Sequence, residues 1–103
     1  MAHIVLEQSF AEPLSDAAWG EMSKRLDPCL DVHRGTWVRS YFAADRKRII
    51  CEFEAPDAES VREALHNAGV PFDRVWRAEV FAVEAYPELH DKLKWLRGER
   101  NGG

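Results

Sequence analysis

A chain of 103 residues, 46% hydrophobic and 31% charged, has the size and balance of one packed domain, which sets aside both two-core proteins and disordered chains. Its 14 basic and 18 acidic residues leave a formal charge of −4, and the basic ones are scattered rather than gathered in a stripe, which argues against nucleic acid as a partner. No apolar run approaches the roughly 20 residues needed to span a bilayer, and no secretory signal pattern precedes the first apolar segment, so a soluble cytoplasmic protein with reduced Cys29 and Cys51 is expected.

The first strand is predicted over residues 4–10, where Ile4, Leu6 and Phe10 alternate with Val5, Glu7 and Ser9 and only Gln8 breaks the apolar side. Pro13 closes it. Ser15 or Asp16 caps a helix carrying Trp19, Met22, Leu26 and Cys29 or Leu30 at helical spacing, and Asp27-Pro28 is expected to bend or restart it. After Gly35 come two strands, about 36–43 and 47–54, joined through Ala44-Asp45-Arg46. Arg46-Lys47-Arg48, the sole basic run, then falls in a solvated turn. Asp57 caps a second helix with the stripe Ala58, Val61, Leu65 and Ala68; Gly69 ends it and Pro71 prevents its continuation.

The last strand is predicted over about 74–83. Past Pro87, the spacing of Leu89, Leu93 and Leu96 predicts a short C-terminal helix with a frayed end over 98–103. The chain thus divides into a domain over 1–85 and a helical extension over 86–103. The order β-α-β-β-α-β is that of an α+β, ferredoxin-like sandwich: a four-stranded antiparallel sheet with both helices on one face.

Burying the most apolar surface assigns Val38, Ser40 and Phe42 with Ile49, Cys51 and Phe53 to the helix-covered face. Trp37, Arg39 and Tyr41 with Ile50, Glu52 and Glu54 then lie on the open face, Arg39 across from Glu52 and Tyr41 across from Ile50. On the outer strands, Trp76, Ala78, Val80 and Ala82 are assigned toward the helices, and Arg77, Glu79 and Phe81 join Val5 and Glu7 on the open side. A solvated face with cross-strand ion pairs is one account of this surface. Trp37, Tyr41, Ile50 and Phe81 leave much apolar area in water, however, so a second subunit is expected to cover it, giving a homodimer of barrel-like form. Charges so covered need pairing or a ligand. The candidate ligand-binding residues are therefore Glu7, Trp37, Arg39, Tyr41, Glu52, Arg77 and Glu79.

The runs Trp37-Val-Arg-Ser-Tyr, Ile50-Cys-Glu-Phe-Glu-Ala-Pro-Asp and Ala68-Gly-Val-Pro-Phe-Asp-Arg-Val resemble a family of small ferredoxin-like proteins known as a domain of unknown function, one branch of which is nickel-binding. The resemblance spans about residues 4–83. It implies a dimeric ferredoxin-like sandwich and nickel or another divalent transition metal as ligand, with no established reaction. Cys51, inside the second run, is the candidate metal ligand that the resemblance carries over.

The residues by themselves do not raise a metal. His3, His33, His66 and His90 are unclustered, no Cys-x-x-Cys, His-x-His or His-Glu-x-x-His occurs, and Cys51 is assigned to the core side, where a free cysteine acts as a small hydrophobe. Catalysis offers a second reading: Glu7, Glu52 and Glu79 near Tyr41 supply a general base for an isomerase or oxygenase-like reaction in a pocket beneath the partner. A plain protein-interaction module, its sheet face filled by the partner, is the third.

Overall fold

The alternating N-terminal segment forms strand β1 (Ala2–Ser9), which lies inside the sheet rather than at its edge. Helix α1 (Asp16–Val32), strands β2 (Thr36–Phe42) and β3 (Arg48–Ala55), helix α2 (Ala58–Ala68), strand β4 (Arg74–Ala78) and a 3-10 turn (Val83–Ala85) follow. This computed structural model describes residues 1–85, so the predicted helix about Leu89, Leu93 and Leu96 lies outside the described residues. The strands stand in the order β2-β3-β1-β4, with every pairing antiparallel. This is the ferredoxin-like α+β arrangement expected from the element order.

Local chemistry sets the helix ends. Ser15 Oγ accepts from the Ala18 N–H at 3.1 Å, and Asp57 Oδ1 accepts from the Ser60 N–H at 2.7 Å, each satisfying a donor that the first helical turn leaves open. Gly69 ends α2 in the left-handed region at φ 67°, which suits a residue without Cβ. Pro28, however, lies inside α1 and does not end it. It forfeits a backbone hydrogen bond to the Lys24 carbonyl, but Leu26 and Leu30 on either side of it are both buried in the core, and that burial holds the helix continuous.

Ile4, Leu6, Leu26, Leu30, Ile49, Cys51, Phe53, Val61 and Leu65 fill the space between helices and sheet. The larger aliphatic and aromatic members each contribute about 1.5–3 kcal/mol by leaving water. Gln8 is also buried, and its Nε2 donates to the Pro71 carbonyl at 2.9 Å. The polar misfit on the apolar side of β1 thereby ties the sheet to the α2–β4 connection.

Two face assignments are corrected. Arg39 stands opposite Glu52 and Tyr41 opposite Ile50, as expected, but a bulge at Val38 brings Trp37 opposite Phe53. The extra residue reverses the alternation, so Trp37 lies on the helix side. In β4, Leu6 pairs with Val75, Val5 with Trp76 and Ile4 with Arg77. Val75 is therefore the buried residue, Trp76 and Ala78 lie on the open face and Arg77 on the helix side, one residue out of phase with expectation. The strand also ends at Ala78, so Glu79, Val80 and Phe81 follow it rather than belong to it.

Candidate functional site

The open face is a grid of cross-strand rows. One row reads Ala78, His3, Glu54, Thr36; the next Trp76, Val5, Glu52, Arg39; the third Arg74, Glu7, Ile50, Tyr41. Polar groups on this grid form two clusters separated by Val5 and Ile50.

In the first cluster, Glu52 receives Arg39 from β2 and His3 from β1. Arg39 Nε is 2.8 Å from Glu52 Oε2, and His3 Nε2 is 3.7 Å from Glu52 Oε1 along a diagonal between rows. Neither His3 Nε2 nor Glu52 Oε2, both buried atoms, makes an aligned hydrogen bond, so the close approach of Arg39 is an ion pair of poor direction. With the Arg39 side chain 61% exposed, that pair contributes no more than about 1 kcal/mol. The result is a buried imidazole nitrogen with no hydrogen-bond partner, beside a carboxylate that Arg39 pairs on its far oxygen.

The second cluster is saturated. Glu7 Oε2 accepts from the Trp76 indole N–H at 2.8 Å, and Oε1 from Arg74 Nη2 at 2.9 Å. The Trp76 hydrogen bond holds the Glu7 carboxyl below its ordinary value; burial opposes this, and Arg74 adds to the lowering. An ionised carboxylate already engaged by two donors is a weak general base. Tyr41 lies in the same row two strands away, roughly 10 Å by strand spacing, so the pair invoked for the catalytic reading is not in contact.

The face therefore brings together Glu7, Arg39, Tyr41 and Glu52 from the expected set, and not Trp37, Arg77 or Glu79. Trp37 packs instead edge-on to Trp19 of α1, at 5.4 Å between ring centroids, and against Phe53 at 5.5 Å; its indole N–H donates to Ser40 Oγ at 2.9 Å. His3, Arg74 and Trp76 also stand on this face, outside the expected set. The β1–β3 and β1–β4 registers that place them depend on contacts distant in sequence, and no local pattern in the chain marks them.

Cys51, the candidate ligand, is enclosed in the core with Ser40 Oγ 3.0 Å from its sulfur. Burial pushes its thiol up to about 11, against a smaller opposing effect of the Ser40 hydrogen bond, so the thiolate that binds metals is scarce at neutral pH. Among the described residues no three His, Cys, Asp or Glu side chains gather as a metal cluster. His33 joins the two helices, with Nδ1 3.5 Å from Glu63 and Nε2 3.2 Å from Asn67, and His66 stands edge-on to Phe72. His90 lies outside the described residues. Among the described residues, imidazole and carboxylate donors of the kind that suit a first-row transition metal approach each other at His3–Glu52 on the open face and at His33–Glu63 between the helices, where the other ring nitrogen is engaged by Asn67.

No described helix is long and apolar enough to cross a membrane. A family model described as nickel responsive protein, SCO4226-like, matches residues 5–78. The crystal structure of SCO4226 from Streptomyces coelicolor A3(2) has the same fold, with a TM-score of 0.70 at 16% identity, covering 79% of this chain and 100% of that one. No curated protein matches the chain.

Proposed function

Because the chain belongs to the family of nickel-responsive, SCO4226-like proteins, we propose that it is a small binding protein that takes up nickel or a similar divalent ion on its open sheet face. The supporting observation is the His3–Glu52 pair, in which the buried His3 Nε2 has no hydrogen-bond partner and lies 3.7 Å from the Glu52 carboxylate, whose other oxygen Arg39 pairs. An unsatisfied buried nitrogen is costly, and imidazole with carboxylate suits nickel. His3 precedes the matched span of 5–78, so its role rests on geometry alone.

Two donors from one chain leave most of an ion's coordination open. A second copy packed face to face about a two-fold axis would bring a second His3–Glu52 pair. It would also cover Val5, Ile50, Tyr41 and Trp76, the apolar squares of the grid. The reading is thus a homodimer with its metal donors at the covered face, working in the cytoplasm, where Cys29 and Cys51 stay reduced. Arg39, Glu7 and Arg74 remain as the charged frame of the site.

Calorimetric titration of the metal-free protein with nickel tests it. Heat of binding is expected, and His3→Ala and Glu52→Gln should each weaken affinity at least about tenfold, since even the outer-shell partners of metal ligands cost that much when altered. No heat and no rise in melting temperature would sink the proposal.

A further inference from the structure

Two carboxylates of the open face each have an arginine beside them, but the two arginines hold differently. Glu7 has both oxygens engaged by aligned hydrogen bonds, one from Trp76 at 2.8 Å and one from Arg74 at 2.9 Å. At Glu52, Arg39 Nε comes within 2.8 Å of Oε2, yet that buried oxygen makes no aligned hydrogen bond.

Exposure separates the partners further. The Glu52 side chain is 19% exposed and that of Arg39 61%, so the carboxylate has given up most of its water while its counter-charge keeps much of its own. A shielded carboxylate needs a cation nearby. An exposed guanidinium on a long side chain meets that need weakly, because holding it in place costs rotamer freedom and water competes for it. Arg39 also belongs to β2, which is bonded to β3 alone among the described strands, and it follows the bulge at Val38. Among the described residues its guanidinium has no partner besides Glu52. On the other side of the carboxylate, Oε1 faces His3 Nε2 at 3.7 Å.

We propose that Arg39 is a displaceable counter-charge, which neutralises Glu52 in the metal-free chain and leaves it when a divalent ion binds. The inference rests on the reading of this face as a nickel site. It makes Arg39 the residue that lowers the affinity of the site and sets its preference for double over single charge. A singly charged ion replacing Arg39 exchanges one unit of charge for another, whereas a divalent ion doubles the attraction at equal distance and gains the imidazole as well. The contrary role has the opposite signature: an arginine that orients Glu52 for the ion would, like other outer-shell partners, weaken binding when removed.

The test compares the unaltered chain with Arg39→Gln and Arg39→Lys, by calorimetric titration with nickel and by thermal unfolding with and without it. Arg39→Gln should bind nickel up to about fivefold more tightly, the most that breaking an exposed ion pair withholds from the ion. Without metal the same variant should melt lower, by no more than about 4–8 °C. At saturating nickel the two melting temperatures should coincide, because the bound chain no longer contains the pair that the substitution removes. Arg39→Lys, which keeps the charge, should match the unaltered affinity within about twofold. If nickel binds the unaltered chain and Arg39→Gln binds it equally or more weakly, the inference falls and the nickel reading stands. A melting deficit that persists at saturating nickel also overturns the inference, since Arg39 then stays paired in the bound chain. Failure of both the unaltered chain and Arg39→Gln to bind nickel overturns the reading and the inference together.

Discussion

Trp37 and Phe53 are cross-strand neighbours on the helix side of the sheet because one residue, Val38, is bulged out between Trp37 and Arg39. Without that bulge the ring would face outward and the Trp19 edge contact would be lost.

Truncation separates the roles of the two rings. Phe53 is fully buried, and Phe53→Ala should cost about 3–5 kcal/mol. Trp37 is half-buried, so Trp37→Ala should cost less. Urea unfolding of both variants checks the order, and the reverse ranking would contradict the placement of the rings.

Cys51 should be chemically quiet. With its thiol at about 11 and fully enclosed, it should react with a disulfide reagent at pH 8 far more slowly than the partly exposed Cys29. Thiol counting with and without denaturant gives the answer: Cys51 should become as reactive as Cys29 only on unfolding. Cys51→Ala should leave nickel affinity unchanged.

Glu7 and Asp57 give the stability a defined acid limb. Both carboxyls are held below their ordinary values, Glu7 chiefly by the Trp76 hydrogen bond and Asp57 by the backbone and hydroxyl of Ser60. A depressed folded-state value means that the stabilisation is full above the unfolded value and fades as pH falls through the folded one. Trp76→Phe removes the leading cause, so the Glu7 carboxyl should titrate at higher pH by carbon-13 resonance. Asp57→Ala should lower the melting temperature more at pH 7 than at pH 2.

Pro28 offers a gain. Restoring an N–H there lets the Lys24 carbonyl find its helical partner, so Pro28→Ala should stabilise by about 1–3 kcal/mol, less whatever is lost as the unfolded chain becomes freer. Thermal unfolding measures it; a drop in stability would mean that the proline ring packs on α1 to an extent its exposure does not indicate.

Much of this architecture is legible in the residues because it is set locally. Ser15, Asp57 and Gly69 mark helix ends by their own chemistry, and the turn after Phe42 places Arg39 against Glu52. The phase of β4 was not legible, because hydrophobicity favours burying Trp76 over Val75. The indole stays outside because its N–H finds Glu7, a partner 69 residues away. His3 and Glu52 meet across strands distant in sequence and only along a diagonal, so neither residue stands out from its neighbours. The bulge at Val38 leaves no trace in composition.

β1 carries Ile4 and Leu6 on one side and His3, Val5 and Glu7 on the other, and it is bonded to strands along both its margins. One residue added within it would exchange the two sets wholesale, sending the donors inward and the aliphatics out. A change of length in this strand is therefore felt on both faces at once, whereas a substitution is felt on one. Relatives that diverge in binding should do so by altering which residues β1 presents, while β2, bonded on one margin alone among the described strands and already bulged, can absorb insertions.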